Sequence, residues 1–92
     1  MKTIRVAAAQ FAIGTDLDAN LKTVLRMIDK AAENKPDLLV LPEFCNHLSW
    51  YSDNDHCHDV SVKPEDTFVQ TVAEKAKEHN LYIVLNVTTQ QA

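Results

Sequence analysis

Two rhythms of apolar residues alternate along this chain. Thr3 to Phe11 ("TIRVAAAQF") is short, apolar on both alternating faces and ends near Gly14, which predicts a buried strand. From Leu21 the spacing lengthens to threes and fours through Val24, Leu25, Ile28, Ala31 and Ala32. That stripe predicts an amphipathic helix, with Asp16 or Asp18 as its cap. Asn34-Lys35-Pro36 ends it, because proline cannot continue a helix and restricts the residue before it. Leu38 to Leu41 is a second predicted strand, closed by Pro42.

Both rhythms are lost from Glu43 to Val62, a polar and aromatic stretch that reads as a long loop. Pro64 suits the first position of a second helix, with Glu65 and Asp66 near its positive end. Phe68, Val69, Val72, Ala73 and Ala76 supply the apolar stripe, and Asn80 a C-terminal stop. Leu81 to Val87 ("LYIVLNV") is the third predicted strand.

The order strand-helix-strand-loop-helix-strand predicts an α/β fold with parallel strands and helical crossovers. Crossovers of one hand, stepping in one direction, put both helices on the same face of the sheet. The strands are nevertheless apolar on both faces, so a layer is expected from further chain or from another subunit. The Glu43–Val62 stretch exceeds the ~12–15 residues of ordinary connections, and loops of that length are usually functional or disordered. It leaves the carboxyl end of a central strand, where open α/β sheets collect ligands.

Composition narrows the classes. Ninety-two residues allow one small domain, 46% hydrophobic and 24% charged, ordinary for a soluble globular chain. Nine basic against thirteen acidic residues give a net charge of −4. With no basic cluster, nucleic acid and an anionic membrane surface are not expected partners. The opening residues lack the apolar stretch of a signal peptide, and no segment reaches membrane-spanning length. A cytoplasmic location is therefore expected, with Cys45 and Cys57 as reduced thiols. Gly14 is the only glycine, which excludes nucleotide-binding loops of the P-loop or Rossmann type.

Candidate chemistry gathers after the second strand. Glu43 follows four apolar residues and a proline. A solvated strand-end acid is the plain reading. The functional one is a general base walled by Leu41, Pro42 and Phe44, where lost water makes a carboxylate hold its proton more tightly. Cys45 and His47 continue a Glu-x-Cys-x-His array that would share one face of an extended segment, but a thiol lining the loop is favoured over a nucleophile. "DNDHCHD", Asp53 to Asp59, lacks the spacing of a zinc site. It reads as a solvated loop, and no metal is expected. Gln10, at a strand end, either orients loop backbone or faces water.

"IRVAAAQF", a capped helix containing Asn20, and "PDLLVLPEF" followed by aromatics closely resemble the start of the nitrilase superfamily of carbon–nitrogen hydrolases. "FVQTVAEKAKEHNLYIVLNV" resembles the next helix and strand of that family. The resemblance runs over nearly the whole chain and over roughly the first third of a typical family domain. It implies one partial domain, residues 1–92, forming the N-terminal part of an α-β-β-α sandwich. It also implies a catalytic role for Glu43, in chemistry that uses a cysteine nucleophile, a glutamate base and a lysine that stabilises the oxyanion. The lysine and cysteine positions are not matched here, since Lys75 and Lys77 sit on the second helix. The chain alone is expected to be inactive.

By the same resemblance, the complete protein takes a small-molecule amide, carbamoyl or nitrile substrate, needs no cofactor and forms a homo-oligomer. Trp50 and Tyr51 are candidate substrate-binding residues, although the family pattern has Gly-Tyr where this chain has Ser49-Trp50-Tyr51. The competing reading is a small non-catalytic α/β module that binds through the 43–62 loop.

Overall fold

The computed structural model describes residues 3–48 and 50–90. Its elements are β1 (Val6–Ala8), α1 (Leu17–Ala32), β2 (Leu38–Val40), α2 (Asn54–Val60), α3 (Thr67–Glu78) and β3 (Tyr82–Val84). The strands form one parallel sheet in the order β1-β2-β3. Val6, Ala7 and Ala8 stand beside Leu38, Leu39 and Val40, which stand beside Tyr82, Ile83 and Val84. This is the predicted parallel sheet with β2 central. The regular strands are shorter than the apolar runs that announced them, and the ladder continues at single points such as Ala9 N–H to Val40 O, 3.0 Å.

α1 begins where Asp16 accepts hydrogen bonds from the Asp18 and Ala19 amides at 3.0 and 3.1 Å. Those bonds satisfy donors that the first turn leaves open. Asn20, Val24 and Ile28, spaced by four, form its buried line. The helix ends at Ala32, and just past its Glu33 cap Lys35 turns left-handed, φ 51°. α3 starts later than predicted. Pro64 lies in a turn closed by Lys63, whose amide donates to the Asp66 carboxylate at 2.8 Å, while the Asp66 amide donates back to Lys63 O. Asp66 is thereby the N-cap and Thr67 the first helical residue. Phe68 and Val72 are buried as expected, whereas Ala73 is exposed. Asn80, at φ 52°, supplies the left-handed stop after α3.

α1 and α3 pack against each other. Lys75 of α3 meets Asp29 of α1 at 2.9 Å, and His79 meets the same carboxylate at 2.8 Å. The hydrogen bond from Lys75, then that from His79, holds the Asp29 carboxyl below its ordinary range. Ala7, Leu39 and Ile83 point from the sheet into the core shared with these helices. Leu39, Val24 and Ile28 are fully buried there.

The alternate residues face the other way. Ile4, Val6, Tyr82 and Val84 are exposed at 71, 59, 79 and 48%, and Leu38 and Val40 are half-buried between them. The two helices therefore cover one face, and the second apolar face is bare within the described residues. β1, predicted as a buried strand, is half-buried at Ala7 and exposed at Val6 and Ala8, with full burial only at the following Ala9, because none of the described residues lies over Val6 and Ala8.

Two outcomes are expected. Leu39→Ala removes the centre of a thin core and should cost about 2–5 kcal/mol, read as a fall in the urea midpoint. The isolated chain should self-associate through its bare face and open strand edges. A compact monomer in sedimentation velocity at high concentration would contradict that.

Candidate active site

β2 delivers its chain to the carboxyl end of the sheet, and the backbone there departs from the ladder. Leu41 N–H donates to Val84 O at 3.1 Å, and Cys45 N–H donates to Asn86 O at 2.8 Å. Between those bonds, Pro42, Glu43 and Phe44 stand opposite Leu85 alone. The surplus is pushed out as an arch with Glu43 at its top. Proline suits the departure because it has no amide to leave unpaired. Phe44 closes the arch in the left-handed region, φ 53°, a conformation that costs a bulky residue about 1–2 kcal/mol. Its amide is held by Asn86 Oδ1 at 3.0 Å.

Glu43 is exposed. The walls expected from its neighbours are only partly there: Leu41 is buried inward and Phe44 is half-buried, so these residues alone do not take the carboxylate out of water. Cys45, two residues on, goes the opposite way. It is fully buried, and Sγ donates to Pro42 O at 2.9 Å. Burial pushes its thiol up to about 11, against a smaller downward pull from the Asn86 backbone. Such a thiol is a poor nucleophile at neutral pH, in keeping with its reading as a loop-lining residue. The shared face expected of Glu43, Cys45 and His47 does not form, because the arch interrupts the extended backbone.

The rest of the loop is more ordered than expected. Asn54–Val60 forms the helix α2, not a solvated coil. Asp53 caps it by accepting from the His56 amide at 2.8 Å, and Ser61 Oγ donates back to Cys57 O. The polar residues of "DNDHCHD" gave no apolar stripe to reveal these seven helical residues. His47 is fully buried, 5.6 Å from the Tyr51 ring and 5.3 Å edge-on from His56. His47 Nδ1 lies 2.7 Å from Leu48 O, and Nε2 has no hydrogen-bond partner.

Trp50 and Tyr51 part company. Trp50 is 60% exposed, whereas Tyr51 is half-buried with its hydroxyl 3.0 Å from Thr88 Oγ1. Gln10 is exposed, and Ser49 lies outside the described residues. A separate cluster, Asp29, Glu78 and His79, brings potential metal-ligating atoms within 4.8 Å of one another. Lys75 Nζ contacts both carboxylates of that cluster, which makes it an ion-pair network.

Three asparagines hold the loop: Asn20, which the family resemblance already marked, and Asn46 and Asn86, which composition and pattern did not single out. Asn46, fully buried, donates to Val60 O at 2.8 Å and accepts from the Thr88 amide at 2.9 Å. Asn20 donates to Asn46 O at 2.9 Å and also bonds both backbone groups of Gly14. Asn86 holds the arch. The visible signal was an asparagine breaking the apolar run "LYIVLNV", which nothing in a strand requires.

A three-stranded parallel α/β sheet, with an acid arched over the end of its middle strand and a structured loop behind it, belongs to the class of open-sheet proteins that work at strand ends. The comparisons with known proteins are more specific. The sequence profile of the family described as carbon-nitrogen hydrolase matches residues 5–91. The chain belongs to that family, the nitrilase superfamily. The crystal structure of the NitFhit protein of C. elegans superposes with a TM-score of 0.77 at 25% sequence identity. The match covers 92% of this chain and 21% of that one. No described helix is long and apolar enough to cross a membrane.

The two thiols should separate in a labelling experiment. Near neutral pH, Cys57, which is half-buried, should react with an aromatic disulfide reagent at least about tenfold faster than Cys45. Cys45 should gain reactivity only as the pH climbs towards about 11. Equal labelling of both at neutral pH would contradict the buried placement.

Proposed function

We propose that this chain supplies the general base of a hydrolase acting on non-peptide carbon–nitrogen bonds, and that the base is Glu43. The observation that carries the reading is the arch: within a carbon–nitrogen hydrolase sequence, Glu43 is lifted out of the ladder at the carboxyl end of the central strand. Among the described residues its carboxylate has no hydrogen-bonded partner, which suits exchange of a proton with a group brought to it.

In the chemistry this reading assigns, Glu43 takes the proton from a cysteine thiol. The sulfur electron pair then forms a bond to an amide, carbamoyl or nitrile carbon. For an amide, the proton goes from Glu43 to the departing amine as the C–N bond breaks, leaving a thioester. Glu43 next takes a proton from water, whose oxygen displaces the thiol and releases the acid. A lysine stabilises the oxyanion at each addition. Neither that lysine nor that cysteine matches a position in these residues, so the reading assigns both to chain outside them. In this reading Trp50, exposed on the same loop, meets the substrate. Tyr51, engaged with Thr88 and His47, shapes the loop behind it.

In a polypeptide that carries this segment together with the cysteine and lysine, Glu43→Gln should lower kcat by about 10²–10⁴-fold. Undiminished turnover would overturn the assignment. The 92-residue chain alone should release no ammonia from a panel of simple amides and nitriles. Robust release that Cys45→Ala abolishes would replace this reading with one in which the chain carries its own nucleophile.

A further inference from the structure

We infer that Asn86 is a positioning residue for Glu43, which sets the direction of the carboxylate by locking the residue after it. The inference rests on the reading of Glu43 as the general base. Asn86 makes two bonds to consecutive residues of the arch: its side-chain oxygen accepts from Phe44 N–H at 3.0 Å, and its backbone oxygen accepts from Cys45 N–H at 2.8 Å. The second is an ordinary continuation of strand pairing that any residue supplies. The first needs a side-chain acceptor of this length, and it lands on the one residue of the arch in the left-handed region.

Left-handed backbone at a phenylalanine persists only where the surroundings over-determine it. The bond is exposed, so without the Asn86 acceptor the Phe44 N–H turns to water, which does not fix the backbone, and rotation to a right-handed or extended conformation becomes the easier state. Glu43 shares a peptide plane with Phe44, so that rotation swings the carboxylate off the top of the arch. On the other side, Pro42 has a fixed φ, and Leu41 is tied to Val84. The freedom of Glu43 is therefore governed from the Phe44 side. Asn86 is exposed, so its side chain is not needed to fill the core.

The test uses the polypeptide containing the cysteine and lysine, assayed by ammonia release on the best of propionamide, propionitrile and N-carbamoylglycine, with Glu43→Gln in parallel. Asn86→Leu keeps the size and removes the acceptor. It should lower kcat about 10²-fold, the scale of a misplacement near 1 Å, with KM little changed. By NMR, the Phe44 amide should exchange faster while the Leu39 and Val84 amides, bonded within the β2–β3 ladder, keep their protection. Asn86→Asp retains an acceptor and should recover most of kcat.

An Asn86→Leu protein with parental kcat, beside an inactive Glu43→Gln, would overturn the positioning role alone. So would equal losses of kcat in Asn86→Leu and Asn86→Asp, which is the pattern of a purely structural residue. Full activity in Glu43→Gln would overturn the base assignment and this inference with it.

Discussion

A strand can sit in the middle of a parallel sheet only if both of its backbone edges are bonded, and β2 meets that condition with β1 on one side and β3 on the other. Leu39 anchors it, fully buried beneath the two packed helices. Whatever follows β2 must therefore emerge at the centre of the sheet's carboxyl end, flanked by the ends of two neighbours. Glu43 owes its location to this constraint. The ladder then resumes out of step, and the surplus residues have nowhere to go but outward.

Beyond the ladder, the backbone has lost its regular partners and is still partly buried. An unpaired buried polar group costs about 1–3 kcal/mol; Asn20 and Asn46 meet that demand, while Asn86 holds an exposed amide. Asn20 ties the loop to α1, Asn46 ties it to the chain after β3, and Asn86 ties the arch to the end of β3. Asparagine suits the task because one side chain offers both a donor and an acceptor. The same scaffold sends neighbouring groups to opposite fates. Cys45 is drawn inside to a carbonyl, and Glu43 is left facing out.

The bare second face has an equally simple origin. Residues alternate across a strand, so β strands that are apolar throughout require two covering layers. α1 and α3 supply one of them. Val6, Tyr82 and Val84 mark where the other belongs. The family to which the chain belongs and the small share of NitFhit that it spans agree with a sheet of which one side is furnished here.

Much of this was readable in advance. The threes and fours of α1 and the Asn80 stop were local facts of spacing and backbone preference. The parallel order followed from alternation, and the position of Glu43 from "LVLPE". Other features depend on which distant groups happen to be near. α2 has no apolar stripe and exists because Asp53 and Ser61 close its ends against a packed loop. The late start of α3 reflects a turn in which Asp66 prefers the Lys63 amide. The solvent-facing direction of Glu43, the burial of Cys45 and the roles of Asn46 and Asn86 all hang on contacts spanning about forty residues of chain. The chain's own order thus determined its elements and the place of its acid, since those obey short-range periodicity. Only the tertiary structure decided which way the acid points and what holds it there, because hydrogen bonds between remote segments have no signature in local spacing.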